Sequence, residues 1–430
     1  MATFRNLFIP VWCLLAATEL TTTVFCRSLQ KKQAATGFGA HISAHTIEGV
    51  KTHSYREAAT GLILHDRIIK EDKVHQLQTH DVIFVIKQRN MDELTTILHD
   101  ISDPDSVNYG KHMSALEIAN LTRNPGSYSS VVKYLNASGA SIVSETLHGE
   151  YITARASIQV WEQMFNTEFY TYALHPLESD SSAIKRFARA EEYSVPMVLD
   201  LHVTSVLNTV QMLQTQPRKP VEREGISTDS KASFNGAVYP ATLNAAHNID
   251  SNVGHPRATQ AVFETINQSF SPSDLTAFQH RYGLPVIPVN KSIGGHARDS
   301  YCIKDGKYVC GEGSLDIQYI TTISQSPTTY YYVEDWSFSD FLMLVANTTN
   351  PPLVISFSYG FAENYTSNSD LDAFNDQAIK LSAMGVTIVS ASGDEGAPST
   401  ISHTAQCGHQ PEFIGTSPYV LSVGATRVRS

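Results

Sequence analysis

The sequence predicts an α/β protein in two parts: a small α+β half, then a parallel, doubly wound sheet. Three observations predict it. Between residues 81 and 172, short apolar runs interleave with stretches of helical period. A polar tract, 214–233 (QTQPRKPVEREGISTDSKAS), then interrupts the pattern. Beyond it, buried strand-like runs alternate with helices, the pattern of a parallel sheet wrapped on both faces. A chain of 430 residues has room for two or three domains of about 100–200 residues each. A formal charge of −11 and a pI near 5.8 leave no electrostatic footprint for nucleic acid, and no Lys/Arg block supplies one locally.

Residues 1–26 read as a secretory signal: Arg5 opens it, Leu7–Ala17 is its apolar run, and cleavage is expected between Ala17 and Ser28. A membrane span needs about 20 apolar residues, and Thr18, Glu19 and Thr21–Thr23 end the run early, so no span is expected. The lead-in, 27–75, lacks sustained periodicity and reads as loosely structured. A first domain is expected over 76–213. It has strand Asp81–Gln88, helices Met91–Ile101, Ser114–Leu121 and Ser127–Leu135, strands Ala140–Ser144 and Glu150–Ala154, helix Ile158–Phe165 and strand Glu168–Tyr172. The tract 214–233 is a linker and a protease target. In 234–430 the expected strands are Ala261–Thr265, Tyr330–Val333, Leu353–Tyr359, Val386–Ala391 and Tyr419–Ala425. The expected helices are Asp274–Tyr282, Glu312–Ser324, Ser337–Ala346 and Asp370–Met384.

Export is consistent with six Asn-x-Ser/Thr sequons, at Asn120, Asn136, Asn267, Asn290, Asn347 and Asn364, which are glycan acceptors in a secreted chain. Of five cysteines, Cys13 and Cys26 fall in or beside the signal, and Cys302 and Cys310 bracket a short loop that a disulfide could close. Cys407 is left over, either a buried free thiol or half of a bond to a segment elsewhere.

Two features could carry chemistry. Glu312 and Asp316 stand four apart on the helix GEGSLDIQYITTIS, beside an apolar stripe of Leu315, Tyr319, Ile320 and Ile323. Like charges one turn apart raise the pKa of one carboxyl, which suits a general base or acid. By itself the spacing also describes an ordinary solvated helix face. The second feature is Ser392-Gly393-Asp394-Glu395-Gly396, directly after the strand VTIVSA, at the end of a parallel strand where catalytic groups gather. Its plain reading is a turn Asp bonding its own backbone. A protonated Asp394 could also donate a hydrogen bond to an oxyanion.

Taken together, GEGSLDIQY, TIVSASGD, VISFSYG and FIGTSPYVLSVGAT resemble the sedolisins, the serine-carboxyl peptidases of subtilisin-like fold. SDPDSVNYGKHMSALEI, at 102–118, resembles the signature of their pro-kumamolisin-type activation domain, and YPATLNAAHNI, at 239–249, the start of their mature domain. The likeness runs in order from about residue 80 to 430, and among the family's branches the chain resembles the animal and fungal lysosomal tripeptidyl peptidases. It implies a subtilisin-like doubly wound sheet, incomplete here, behind a ferredoxin-like prodomain that inhibits its own catalytic half until the linker is cut. It further implies Glu312 as general base, Asp316 as its orienting partner and Asp394 as the oxyanion-stabilising acid, with peptide or protein substrates in a secreted or lysosome-like setting. Glu395 departs from the family, which has Ser there.

The family's Ser-Gly-Thr-Ser nucleophile segment and its Ca2+ ligands are not found in these 430 residues, so the chain is expected to be truncated and inactive as it stands. Gly415-Thr416-Ser417 imitates the nucleophile segment, but Pro418 and a strand follow it. Removal of tripeptides is the expected specificity, with endopeptidase action second. The competing class is a non-catalytic secreted glycoprotein or an inhibitory fragment of the same fold. Eleven of seventeen histidines precede residue 221, so protonation could load the first half with charge and loosen it, although scattered surface histidines give the same count.

Overall fold

A computed structural model of the chain describes residues 46–47, 50–59, 67–175, 184–213, 238–266, 268–304, 307–308, 310–334, 338–363, 366–394 and 411–425, all within one unit, Ala44–Ser430. The expected signal, the linker tract 214–233, Asn267, Asn364, Glu395 and Cys407 lie outside the described residues.

The first half contains β1 (His53–Ala58), β2 (Ile68–Lys73), β3 (Thr79–Ile86), α1 (Met91–Ser102), α2 (Ala115–Thr122) and α3 (Pro125–Ala137). Then come β4 (Ser141–Glu145), β5 (Tyr151–Ser157), α4 (Ile158–Phe165), β6 (Phe169–Leu174), β7 (Lys185–Ala190), β8 (Glu192–Pro196) and β9 (Val203–Leu207). Local chemistry fixes several of these. Ser114 and Glu117 form a reciprocal capping box that starts α2, and Pro125 follows the N-cap Asn124 of α3.

The main sheet here is antiparallel, in the order β9-β3-β5-β4. Strand alternation divides its side chains between two faces. Val82, Phe84 and Ile86 point to one side and pack with Val131 and Leu135 of α3 and Trp161 and Phe165 of α4. The Trp161 indole donates to the His80 carbonyl at 2.9 Å, so the ring is buried without an orphaned N–H. Ile83, Val85, Tyr151 and Leu207 point the other way, into the core of the second half.

The expectation of a loosely structured lead-in is corrected at 53–58 and 68–73. There β1 pairs antiparallel with β8, and β2 joins β6 and β7 in a three-stranded sheet. HSYREA and IIKEDK carry too few apolar residues to announce themselves, and their strands form because distant partners complete the backbone hydrogen bonds.

The second half contains α5 (Pro240–Ala246), β10 (Gln260–Glu264), α6 (Pro272–Arg281), β11 (Lys291–Ile293), α7 (Gly311–Ile323), β12 (Thr328–Tyr332) and α8 (Phe338–Ala346). β13 (Val354–Phe357), α9 (Asn368–Ala383), β14 (Thr387–Ala391) and β15 (Leu421–Val423) follow, and Ile303–Lys304 with Lys307–Tyr308 and Phe361–Ala362 with Glu412–Phe413 form two small antiparallel pairs outside the main sheet. Six strands run parallel in the order β11-β12-β10-β13-β14-β15. Val262, Tyr330 and Tyr332 face α6 and α7 through Leu275 and Ile317, whereas Ala261, Phe263, Tyr331 and Phe357 face α8 and α9 through Phe341 and Phe374. The sheet therefore carries helices on both faces. The connection leaving β10 goes to one face and those leaving its neighbours β12 and β13 go to the other, so β10 lies at a topological switch point.

Phe263 anchors this arrangement, fully buried with its ring 4.9 Å from Phe357 and 5.1 Å from Phe341. Phe263→Ala is expected to cost about 3–5 kcal/mol of stability. Urea denaturation checks it as a lower midpoint at unchanged slope, and an unchanged midpoint would remove Phe263 from the core of the fold.

Candidate active site

The switch point at β10 gathers acidic side chains. Glu264 is the last residue of β10, fully buried, on the α7 side of the sheet. Tyr359, just past β13, donates its hydroxyl to Glu264 Oε2 at 2.6 Å. Asp316 of α7 accepts the Ser358 hydroxyl on Oδ2 at 2.6 Å. Burial holds the Glu264 carboxyl protonated well above the usual carboxylate range, and the charge of Asp316, then that of Glu312, push the same way against the Tyr359 hydrogen bond. Glu312, Asp316 and Glu264 are thus one electrostatic cluster at the carboxyl edge of the sheet.

Close backbone approach places α7 there. A Cβ on Gly313 would stand 2.5 Å from the Ser269 carbonyl oxygen, so only glycine lets the first turn of α7 lie against the loop after β10. The Glu312 N–H donates to Gln268 Oε1 at 3.3 Å, and the Tyr330 hydroxyl donates to the Gln268 carbonyl at 2.7 Å. The apolar stripe expected of this helix is corrected in consequence. Leu315 is half exposed, and the buried face runs through Gly313, Ile317 and Thr321, because the approach at Gly313 rotates the helix onto its small residues. Asp316 is half-buried at the margin of that face.

Asp394 follows β14, which pairs with β13, so it occupies the same edge one strand beyond Ser358, and it is exposed. Gly393 before it has φ +89°, and a Cβ there would meet the Glu412 carboxyl at 2.5 Å. Glu412, nearly buried, also lies against Gly360, so one carboxyl supports the loops after β13 and after β14. Glu264 and Glu412 were not picked out from the sequence. A signal for the first was present: a lone Glu closing the apolar run QAVFE, in a strand position where charge rarely buries without a partner.

Ser417 is 5% exposed and donates to Asn375 Oδ1 of α9 at 2.7 Å, on the helix layer opposite α7. Cys302 and Cys310 are joined by a disulfide that closes the hairpin before α7. Asn120, Asn136, Asn290 and Asn347 are exposed. Asn347 Oδ1 accepts from the Leu147 backbone N–H at 2.8 Å. Among the described residues, no group of three or more His, Cys, Asp or Glu side chains could hold a metal ion, so the Ca2+ implied by the resemblance has no such site there. No helix among them is long and apolar enough to cross a membrane.

The carboxyl cluster stands at the switch point of a parallel sheet, where ligand and catalytic sites of open α/β sheets gather, and an antiparallel domain packs on the sheet's α8–α9 layer. Residues 66–212 match the pro-kumamolisin activation domain. The chain aligns with tripeptidyl-peptidase 1 of Mus musculus at 28% identity over 361 residues, 81% of this chain and 61% of that one. It aligns with physarolisin of Physarum polycephalum at 28% over 372 residues, 81% of this chain and 60% of that one. The chain is thus similar to these peptidases over four fifths of its own length, and it spans about three fifths of the length of these relatives.

Because Glu264 carries a raised pKa, its ionisation opposes folding. Stability attributable to it is full below the unfolded carboxylate value and falls as pH rises toward the folded one. Glu264→Gln is expected to narrow the difference in melting temperature between about pH 4.5 and about pH 7.5. An unchanged difference would remove Glu264 as the buried proton holder.

Proposed function

We propose that the chain is the precursor of an acid-acting serine-carboxyl peptidase, with a subtilisin-like catalytic half and a ferredoxin-like activation half that blocks it. The observation that carries this reading is the cluster of Glu312, Asp316 and buried Glu264 at the switch point. Glu312 takes the proton from a serine hydroxyl, Asp316 orients Glu312, and Glu264, keeping its proton, holds Asp316 in place. In acid, the protonated Asp394 donates a hydrogen bond to the oxyanion that forms as the serine attacks the peptide carbonyl.

Removal of tripeptides from free N-termini is supported by the relatives named tripeptidyl-peptidase, with endopeptidase action second. The proposed setting is secretory or lysosome-like, with N-glycans on the exposed sequons and Ca2+ bound, as in the family, by a segment not found in these 430 residues. The nucleophile is likewise not Ser417, whose hydroxyl is committed to Asn375 across the sheet from the cluster.

The 430-residue chain, assayed in acid with a fluorogenic tripeptide amide, is therefore expected to give no turnover; clear turnover would reinstate Ser417. In a chain extended by a serine-bearing segment, Glu312→Gln and Asp316→Asn should each lower turnover by about 10²–10⁴-fold with the fold intact. Full activity of either variant would end the proposed role of that carboxyl.

A further inference from the structure

The carboxyl edge of the sheet carries a further acid on β12, the strand beside the switch point. Tyr332 ends β12 as the register partner of Glu264, and the Val333 N–H donates to the Glu264 carbonyl at 2.9 Å. Glu334 follows, and it is exposed. The Tyr332 hydroxyl donates to Glu334 Oε2 at 3.0 Å, which holds this carboxyl on the α7 side of the sheet, the side of Tyr332 itself.

Tyr332 is clamped in turn. His296 lies flat on its ring, with centroids 3.6 Å apart and planes 11° from parallel, and Tyr301 stacks on His296 at 5.2 Å. His296 Nδ1 shares a hydrogen bond with Ser269 Oγ at 3.0 Å, and the Ser269 carbonyl is the atom that α7 approaches at Gly313. Gly294, Gly295 and His296 have φ of +88°, +85° and +62°, so the chain after β11 folds back over the end of β12. A Cβ on Gly294 would stand 2.0 Å from the Tyr332 carbonyl oxygen, and a non-glycine residue such as His296 keeps that conformation where its surroundings fix it. The group that aims Glu334 therefore leans on the same loop that positions the helix of Glu312 and Asp316.

We propose that Glu334, aimed by Tyr332, binds the free α-ammonium group of a peptide whose third residue lies at the carboxyl cluster. The inference rests on the peptidase reading of that cluster and deepens it, because it names the side chain that sets the length removed. The spans agree. Strand spacing and rise put Glu334 on the order of 10 Å from the Glu264 backbone along the carboxyl edge. An extended tripeptide measures about 10 Å from its ammonium to its last carbonyl. At acid pH that ammonium is charged, whereas an acylated N-terminus or the interior of a longer peptide offers no cation.

The first half brings cations of its own to this edge. Burial lowers the ammonium of Lys185, which opens β7, while the Glu334 charge raises it in opposition. Four residues on, Arg189, lowered by burial to about 10, faces Asp370 in the first turn of α9 and Asp340 in the first turn of α8. A lysine ammonium and a peptide α-ammonium present the same compact charge with three N–H donors, so Lys185 stands in for the substrate's N-terminus while the chain is uncut. His296 is the weaker competitor, because burial lowers its pKa against the pull of Glu334.

Two measurements test this. In the uncut 430-residue chain, labelling of Lys185 by an amine-reactive ester, read by peptide mass mapping, is expected to rise about 2-fold or more in Glu334→Gln, because loss of the carboxylate lowers the lysine pKa. Unchanged labelling would overturn the pairing of Glu334 with an ammonium. In the chain extended by a serine-bearing segment and cut in the 214–233 tract, a fluorogenic tripeptide amide is compared in acid with its N-acetylated form. The free amine should be preferred by about 10-fold or more in kcat/KM. Glu334→Gln should abolish that preference, chiefly through a higher KM for the free amine; Tyr332→Phe should reduce it by about 3-fold, and Glu334→Asp should keep part of it. A preference that survives Glu334→Gln, or an equal loss on both substrates, overturns the inference and leaves the peptidase reading standing. Absence of turnover from both substrates in the extended chain overturns the peptidase reading, and the inference with it.

Discussion

The structure depends on burying a carboxyl at the end of its central strand. An ionised side chain in the position of Glu264, with no exposed surface, would cost several kcal/mol even after relaxation. The fold accommodates it by supplying the Tyr359 hydroxyl as donor and by leaving the proton in place. That choice constrains its neighbours. With Glu264 neutral, its carboxyl can hydrogen-bond Asp316, which also accepts from Ser358, while Glu312 occupies the first turn of α7 with its charge nearby. Gly313 is the backbone counterpart: with a Cβ at that position, α7 could not stand close enough for the three carboxyls to sense one another. A cluster of this kind separates the protonation states of like groups, which proton transfer at acid pH requires.

Much of this was legible in the sequence where period and composition agreed. Helix α4 was bounded at Ile158 and Phe165, because its apolar residues recur at helical spacing and nothing in its neighbourhood competes. The parallel strands β10, β13 and β14 were visible as short apolar runs between helices. What stayed hidden was decided by partners. β1, β2 and β7 carry charged residues at two, four and three of their six positions, and they are strands because β8 and β6 complete their ladders. The apolar face of α7 was misplaced because a stripe drawn from large residues ignores how closely a glycine lets a helix approach. At the site, spacing on one helix exposed Glu312 and Asp316, whereas Glu264 and Glu412 arrive from other elements, and no local pattern could join them.

The carboxyl cluster and the head of α9 share one stretch of backbone. Leaving β13, the chain passes Ser358 and Tyr359, which bond Asp316 and Glu264, and within about ten residues reaches Ser367 and Ser369, which bond Asp370 and Glu57. The near end of this connection is anchored by Phe361, which pairs with Phe413 and lies in the same core as Phe374 of α9. Glu57 at the helix N-terminus and Tyr359 on Glu264 therefore flank a connection whose Phe361 is packed into one dense core with Phe374. The first half thus packs on the helix layer of the sheet and caps α9 at the far end of the connection whose near end supplies the donors to Asp316 and Glu264.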